Sequence, residues 1–342
     1  MNEINSHKER QSCFELLRLI SMFFIVLYHF LRWFVQDNPT HNSLQAFWLP
    51  LHIGVVCFVF ISGYFRIKPS SKGFIKLIAM VLVYSLPEIV IGIRNANGWH
   101  DVMHSLMFVS RTEYWYVRTY VGLYLFSPLI NVFFDHSSIK VKWYLLVVTG
   151  IISVYFGNFS RYYLYAEGKN LVNFLFLYQL GQMLSFYSEQ WRKIKVWKLL
   201  IAYVLLNVIL VAGYYYSADT KAGELLWRLS FPYSSPMLII NAVSLFVIIG
   251  HLSLTSSVLN SLSAGVFAVY LIHGNHPLIT GIQRNIVSAI YPYTSNELMF
   301  VGALTLMALV VILLCLSINQ LLSPVWKFSS RLGDLTYRKL GF

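Results

Sequence analysis

Apolar residues in this chain run in stretches of about 20, separated by short polar and charged clusters. A helix of that length crosses the hydrocarbon layer of a bilayer, about 30 Å thick. Windows of this kind occur at about 14–34, 45–65, 74–93, 114–134, 142–159, 170–187, 197–216, 233–251, 264–283 and 298–322. The pattern predicts an all-α, polytopic membrane helical bundle with about ten transmembrane helices. The connections are short, and neither an internal repeat nor a linker divides the chain. One membrane domain is therefore expected over residues 1–342, with short tails at about 1–13 and 326–342.

Composition agrees with this picture and removes other classes. Of the 342 residues 57% are hydrophobic and only 12% charged, about half the charge of an ordinary soluble domain. The net charge of +12 would suit nucleic acid if it were gathered on one face. Instead Lys and Arg sit in small clusters between the apolar windows, so nucleic acid is not an expected partner and membrane lipid is. Sixteen of the 26 basic residues fall on the side of the N-terminus and eight on the other, with Arg18 and Arg118 inside windows. That bias and the even number of windows both place the two termini in the cytoplasm. The first window lacks a small-residue cleavage site and is interrupted by Arg18 and His29, which reads as a retained helix. Cys13, Cys57 and Cys315 are far apart without C-x-x-C spacing, so neither a disulfide nor a metal site is expected.

Two polar residues inside the first window change the reading from scaffold to machine. Arg18 and His29 are eleven residues apart, which is three helical turns plus about 20°, so both leave the same face about 16 Å apart. Glu15 stands one turn before Arg18 and can pair with it. Ionisable groups at membrane depth mark functional sites. A histidine suits general-base chemistry near neutral pH and suits a proton relay equally well. The outer loops 94–113 and 158–170 carry Trp99, His100, Asp101, His104, Arg161, Tyr162, Tyr163 and Tyr165. Aromatics with polar neighbours suit a sugar ring, and they also suit an interfacial belt. The same two readings stay open for Trp115, Tyr116 and Arg118, which could line an outer acceptor cleft. Tyr124 and Asn131 read as interhelical hydrogen-bond partners, and Ser127-Pro128 as a kink.

The segment Glu15-Leu-Leu-Arg18, followed by an apolar run into Val26-Leu-Tyr-His29, resembles the first-helix signature of the acyltransferase-3 family. Further matches are Phe58-Val-Phe-Ile-Ser-Gly63-Tyr64, the segment from Trp115 through Tyr124 to Ser127-Pro128, and Val269-Tyr270-Leu-Ile-His273, together covering roughly 12–325. The resemblance implies an integral membrane enzyme that moves an acyl group, usually acetyl from acetyl-CoA, to a hydroxyl of a glycan. It implies His29 as the catalytic histidine, Arg18 as its partner and His273 as a further site residue. The family's Arg-x-x-Arg pair is replaced here by Arg66, Lys68, Lys72 and Lys76, a cluster that can hold CoA phosphates as point charges.

The expectation is a bacterial inner-membrane O-acetyltransferase for a surface polysaccharide or its lipid-linked precursor, with acetyl-CoA as co-substrate and no resident cofactor or metal. CoA would enter from the basic cluster, its pantetheine arm would pass Arg18, and the thioester would meet His29. The alternative is a transporter or flippase for a lipid-linked sugar, with His29 as proton relay.

Overall fold

The computed structural model describes residues 11–110, 114–159, 167–217, 219–274, 277–329 and 331. Arg161 and the tyrosines after it, and most of both expected tails, lie outside the described residues. No strand occurs among the described residues. The main helices are α1 (Ser12–Asp37), α2 (Gly54–Phe65), α3 (Ser71–Arg94), α4 (Trp99–Leu106), α5 (Trp115–His136), α6 (Ile139–Val154) and α7 (Leu171–Phe186). They continue as α8 (Val196–Ser217), α9 (Lys221–Ser230), α10 (Pro236–Gly250), α11 (Ser257–Ser263), α12 (Val266–His273), α13 (Pro277–Ile290) and α14 (Glu297–Leu321). Among the described residues seven helical segments are long and apolar enough to cross a membrane, and three shorter ones, 171–186, 236–250 and 257–273, are also apolar. The chain is an all-α, polytopic membrane protein.

Two windows differ from the expected continuous spans. The second begins as a 3₁₀ segment, Pro39–Phe47, then a single α turn, Trp48–Leu51, before α2 starts at Gly54. Pro50 supplies no amide hydrogen to this stretch, and His52 and Ile53 form the break. The ninth ends at His273 rather than running to 283, and a new helix opens with Pro277 at its first position, where a missing N–H is harmless. Each place carries a histidine: His52 follows Leu51, and His273 closes α12.

Helix α1 is the hub. Sixteen of its 26 residues are buried, against two of 22 in α8, so α1 is central and α8 turns most of its apolar surface outward to lipid. A reciprocal amide pair ties α8 to α10: Asn207 Nδ2 donates to Asn241 Oδ1 (3.0 Å) and Asn241 Nδ2 to Asn207 Oδ1 (2.9 Å). Between apolar helices such polar bonds are a main source of attraction. Pro128 leaves the Tyr124 carbonyl without its helical partner, and Ser127 Oγ donates to that oxygen at 2.8 Å.

Asn131 bridges α5 to α7, while Tyr124 bonds to Ser70, the residue that caps α3. The Tyr124 hydroxyl accepts from Ser70 N–H (2.9 Å) and donates to the Ser70 carbonyl (3.1 Å). Asn131 Nδ2 donates to the Ile67 carbonyl (2.9 Å), while its Oδ1 accepts from the Tyr178 hydroxyl (2.9 Å) and from Gln182 Nε2 (2.8 Å). The Tyr178 hydroxyl in turn accepts from Ile67 N–H at 2.9 Å. This network fixes the loop between α2 and α3, and with it the entry of α3 into the bundle.

Candidate functional site

Glu15, Arg18, Met22, Ile25 and His29 recur at alternating three- and four-residue steps and form one stripe of α1. Two cavities open along that stripe. The larger, about 380 Å³, is lined by Arg18, Met22 and Ile25 and by Lys76 and Tyr116 from facing helices. The smaller, about 30 Å³, is lined by Ile25 and His29 together with Tyr28, His52, Trp115 and Tyr233. Ile25, Val55 and Tyr270 border both, so these three side chains form the wall between them.

At the first cavity Arg18 Nη1 donates to both carboxylate oxygens of Glu15 at 2.8 Å. Glu15 is buried and also accepts from Ser263 Oγ of α11. A carboxylate with several donors holds its charge in place inside a bundle. Nε and Nη2 of Arg18 take no partner among the described residues, and the side chain borders the cavity. That edge of the guanidinium is available to a phosphate, a carboxylate or a carbonyl.

At the second cavity the two histidines bond directly. His29 Nδ1 lies 2.9 Å from His273 Nε2, and His273 Nδ1 lies 2.7 Å from the Val269 carbonyl oxygen. A carbonyl only accepts, so His273 carries its proton on Nδ1. With both rings neutral, His273 Nε2 is then an acceptor, and His29 Nδ1 donates to it. The lone pair of His29 is left on Nε2. Trp33, one turn further along α1, stacks on the His29 ring with 5.6 Å between centroids and 15° between planes, which restrains its rotation. The constellation is a base oriented by a second group, the arrangement that general-base and nucleophilic catalysis share.

The other expected site residues divide. Trp115 lines the His29 cavity and Tyr116 the Arg18 cavity. Arg118, on the same helix, is exposed and borders neither. Of the basic cluster, Lys76 reaches the Arg18 cavity. Arg66 instead sits 2.5 Å from Asp135 with its guanidinium 5.0 Å from the Phe134 ring centroid, which ties the end of α2 to α5. Lys68 and Lys72 are exposed and border neither cavity.

His52 and Tyr233 stand in the site without having been singled out from the sequence. A histidine inside an apolar window is the signal that the sequence offers for His52, and a tyrosine such as Tyr233 carries no comparable one. Among the described residues no group of three or more His, Cys, Asp or Glu could hold a metal ion, and Cys13, Cys57 and Cys315 are buried free thiols.

The profile of the acyltransferase-3 family, described as an acyltransferase domain, matches residues 11–319. No match was found among curated proteins or among solved structures. The matched region holds both cavities, the paired histidines and the Glu15–Arg18 pair, and with most of the chain inside the profile this protein belongs to the acyltransferase-3 family of membrane acyltransferases.

Proposed function

We propose that the protein moves an acetyl group from acetyl-CoA to a hydroxyl of a bacterial surface polysaccharide or its lipid-linked precursor. The observation that carries this reading is the free Nε2 of His29, fixed by His273, separated only by Ile25, Val55 and Tyr270 from a cavity bordered by Arg18 and Lys76. In this reading the protein lies in the bacterial inner membrane with both termini cytoplasmic. The charge bias of the loops supports that orientation.

CoA phosphates approach the lysines at the start of α3, with Lys76 nearest the cavity and Lys68 and Lys72 outside it. Arg66 contributes less to phosphate binding, because Asp135 already occupies it. A volume of about 380 Å³ lies within the ordinary range of small-molecule sites and admits the pantetheine arm. Arg18 holds a carbonyl or phosphate oxygen of the donor with its unpartnered edge. The acetyl thioester passes the Ile25–Val55–Tyr270 wall to reach His29. His29 Nε2 takes the proton from the acceptor hydroxyl as its oxygen attacks the thioester carbonyl carbon. The carbon–sulfur bond breaks, CoA leaves as thiolate, and the proton on His29 returns to the sulfur.

Membranes containing the protein, given acetyl-labelled acetyl-CoA and chemically de-O-acylated surface polysaccharide, are expected to label the polysaccharide and release free CoA thiol in equal amounts. A transporter or flippase with His29 as proton relay releases no CoA, and that result with intact protein overturns the proposal. Arg18→Met is expected to raise KM for acetyl-CoA about ten- to hundredfold, the loss of a charged hydrogen bond to the donor. The acceptor KM should change little. A rise in acceptor KM with no change for the donor would reassign Arg18.

A further inference from the structure

His52 is a second imidazole in the His29 cavity, and the general-base mechanism leaves it without a task. It is 4% exposed. Its Nδ1 lies 2.6 Å from the Phe231 carbonyl oxygen, so Nδ1 is the donor and Nε2 carries the lone pair when the ring is neutral. Its two faces are covered by the rings of Phe231, with centroids 4.1 Å apart and 3° between planes, and Tyr233, at 4.1 Å and 25°. Stacked on both sides and tethered at Nδ1, the ring presents only its Nε2 edge to the cavity. Nε2 takes no hydrogen bond among the described residues.

The cavity therefore holds two fixed imidazoles, His29 and His52, each with its Nδ1 proton committed elsewhere and its Nε2 an acceptor. One hydroxyl offers a single proton and satisfies one of them. Satisfying both takes two donor hydrogens: a water carries them on one oxygen, whereas a sugar carries them on two hydroxyls, which a space this small holds together only on neighbouring carbons. The cavity volume of about 30 Å³ admits one or two oxygen atoms and not a sugar ring, so what enters is the hydroxyl edge of a larger acceptor. Tyr28 and Trp115 border the same space and close it around that edge.

We propose that His52 positions the acceptor by accepting a hydrogen bond from the hydroxyl adjacent to the one His29 deprotonates, so that the acceptor is a vicinal diol. This rests on the acyl-transfer reading above and adds to it the shape of the acceptor. His52 touches the neighbouring oxygen, not the reacting one, and its effect falls on binding and register.

The test measures acetyl transfer from acetyl-CoA to de-O-acylated surface polysaccharide in membranes carrying wild type, His52→Phe or His52→Gln, with expression matched. Phenylalanine keeps the stack and removes the acceptor nitrogen; glutamine restores an acceptor near the same point. His52→Phe is expected to raise the acceptor KM about tenfold, with KM for acetyl-CoA moving less than twofold and His52→Gln recovering most of the loss. In the same assay cis-cyclohexane-1,2-diol should compete with the polysaccharide at lower concentration than cyclohexanol in wild type, and this preference should vanish in His52→Phe. An unchanged acceptor KM in His52→Phe, equal loss in both variants, or equal competition by diol and monool in wild type each overturns the proposal; the last two leave a packing ring or a water-filled site. Wild-type membranes that transfer no acetyl group would defeat the acyl-transfer reading itself, a result distinct from all of these.

Discussion

Alanine at His29 is expected to lower kcat for acyl transfer by about 10²–10⁴-fold, the range for removing a positioned general base, while KM for acetyl-CoA stays within about threefold. The separation follows from the geometry. The donor's charged part meets Arg18 and Lys76 in one cavity, and His29 stands in another, beyond Ile25, Val55 and Tyr270. His273 acts through His29 alone, because its Nε2 faces His29 Nδ1 and its Nδ1 is held by the Val269 carbonyl. His273→Phe should therefore cost a smaller part of the rate, about 10–10²-fold, as an acceptor for the His29 proton is lost and the tautomer is no longer fixed. The double variant should be no slower than His29→Ala, since residues that act as a unit are not additive. Single-turnover assays on solubilised protein of matched monodispersity measure this directly. Full activity in His29→Ala, or multiplicative loss in the double variant, would remove His29 or the histidine pair from the chemistry.

The parts of this site that were legible in the sequence are those set by local period. Arg18 and His29 fall on one face of α1 because helical geometry leaves no other arrangement over eleven residues, and the apolar windows mark the helices, seven of which among the described residues reach the length a bilayer demands. What one helix cannot report is which partner reaches it from another. His273, which the resemblance alone pointed to, meets His29 from α12, a contact that the period of neither helix reports. His52 sits at a break between Leu51 and Gly54. The four basic residues after α2 look equivalent as a string of charges, yet Asp135 takes Arg66, and of the four it is Lys76 that borders the Arg18 cavity. Spacing along the chain sets which residues share a face. Occupation by a partner elsewhere in the bundle decides which of them is available for chemistry.

Valine at Gly63 or Gly181 is expected to remove most folded protein from the membrane, although neither position borders either cavity. Helices α2 and α7 cross at these two glycines with backbone against backbone. A Cβ at Gly63 would fall on the Tyr178 carbonyl oxygen and lie 3.1 Å from the Gly181 Cα, and a Cβ at Gly181 would lie 2.5 Å from the Phe60 carbonyl oxygen and 3.0 Å from the Gly63 Cα. The obstructing atoms are main chain, so no rotamer change relieves them and the helices must move apart. Close approach through small residues is a principal source of helix–helix attraction in a bilayer, where apolar burial gives no advantage over lipid. Separation also draws Tyr178 from Ile67 and Asn131, which loosens the loop that delivers α3 and Lys76 to the donor cavity. Overpacking of this kind costs about 3 kcal/mol at the upper end of its usual range. Gly302 of α14 is the control, because a Cβ there meets nothing within 4 Å and alanine is the better helix former by about 1 kcal/mol. Heating detergent-solubilised variants and following the monodisperse fraction should place Gly63→Ala and Gly63→Val progressively below wild type and Gly302→Ala at or above it. Equal tolerance of alanine at Gly63 and Gly302 would mean that α2 and α7 do not cross this closely, and the fixed path from α2 through Ile67 to the donor cavity would fail with it.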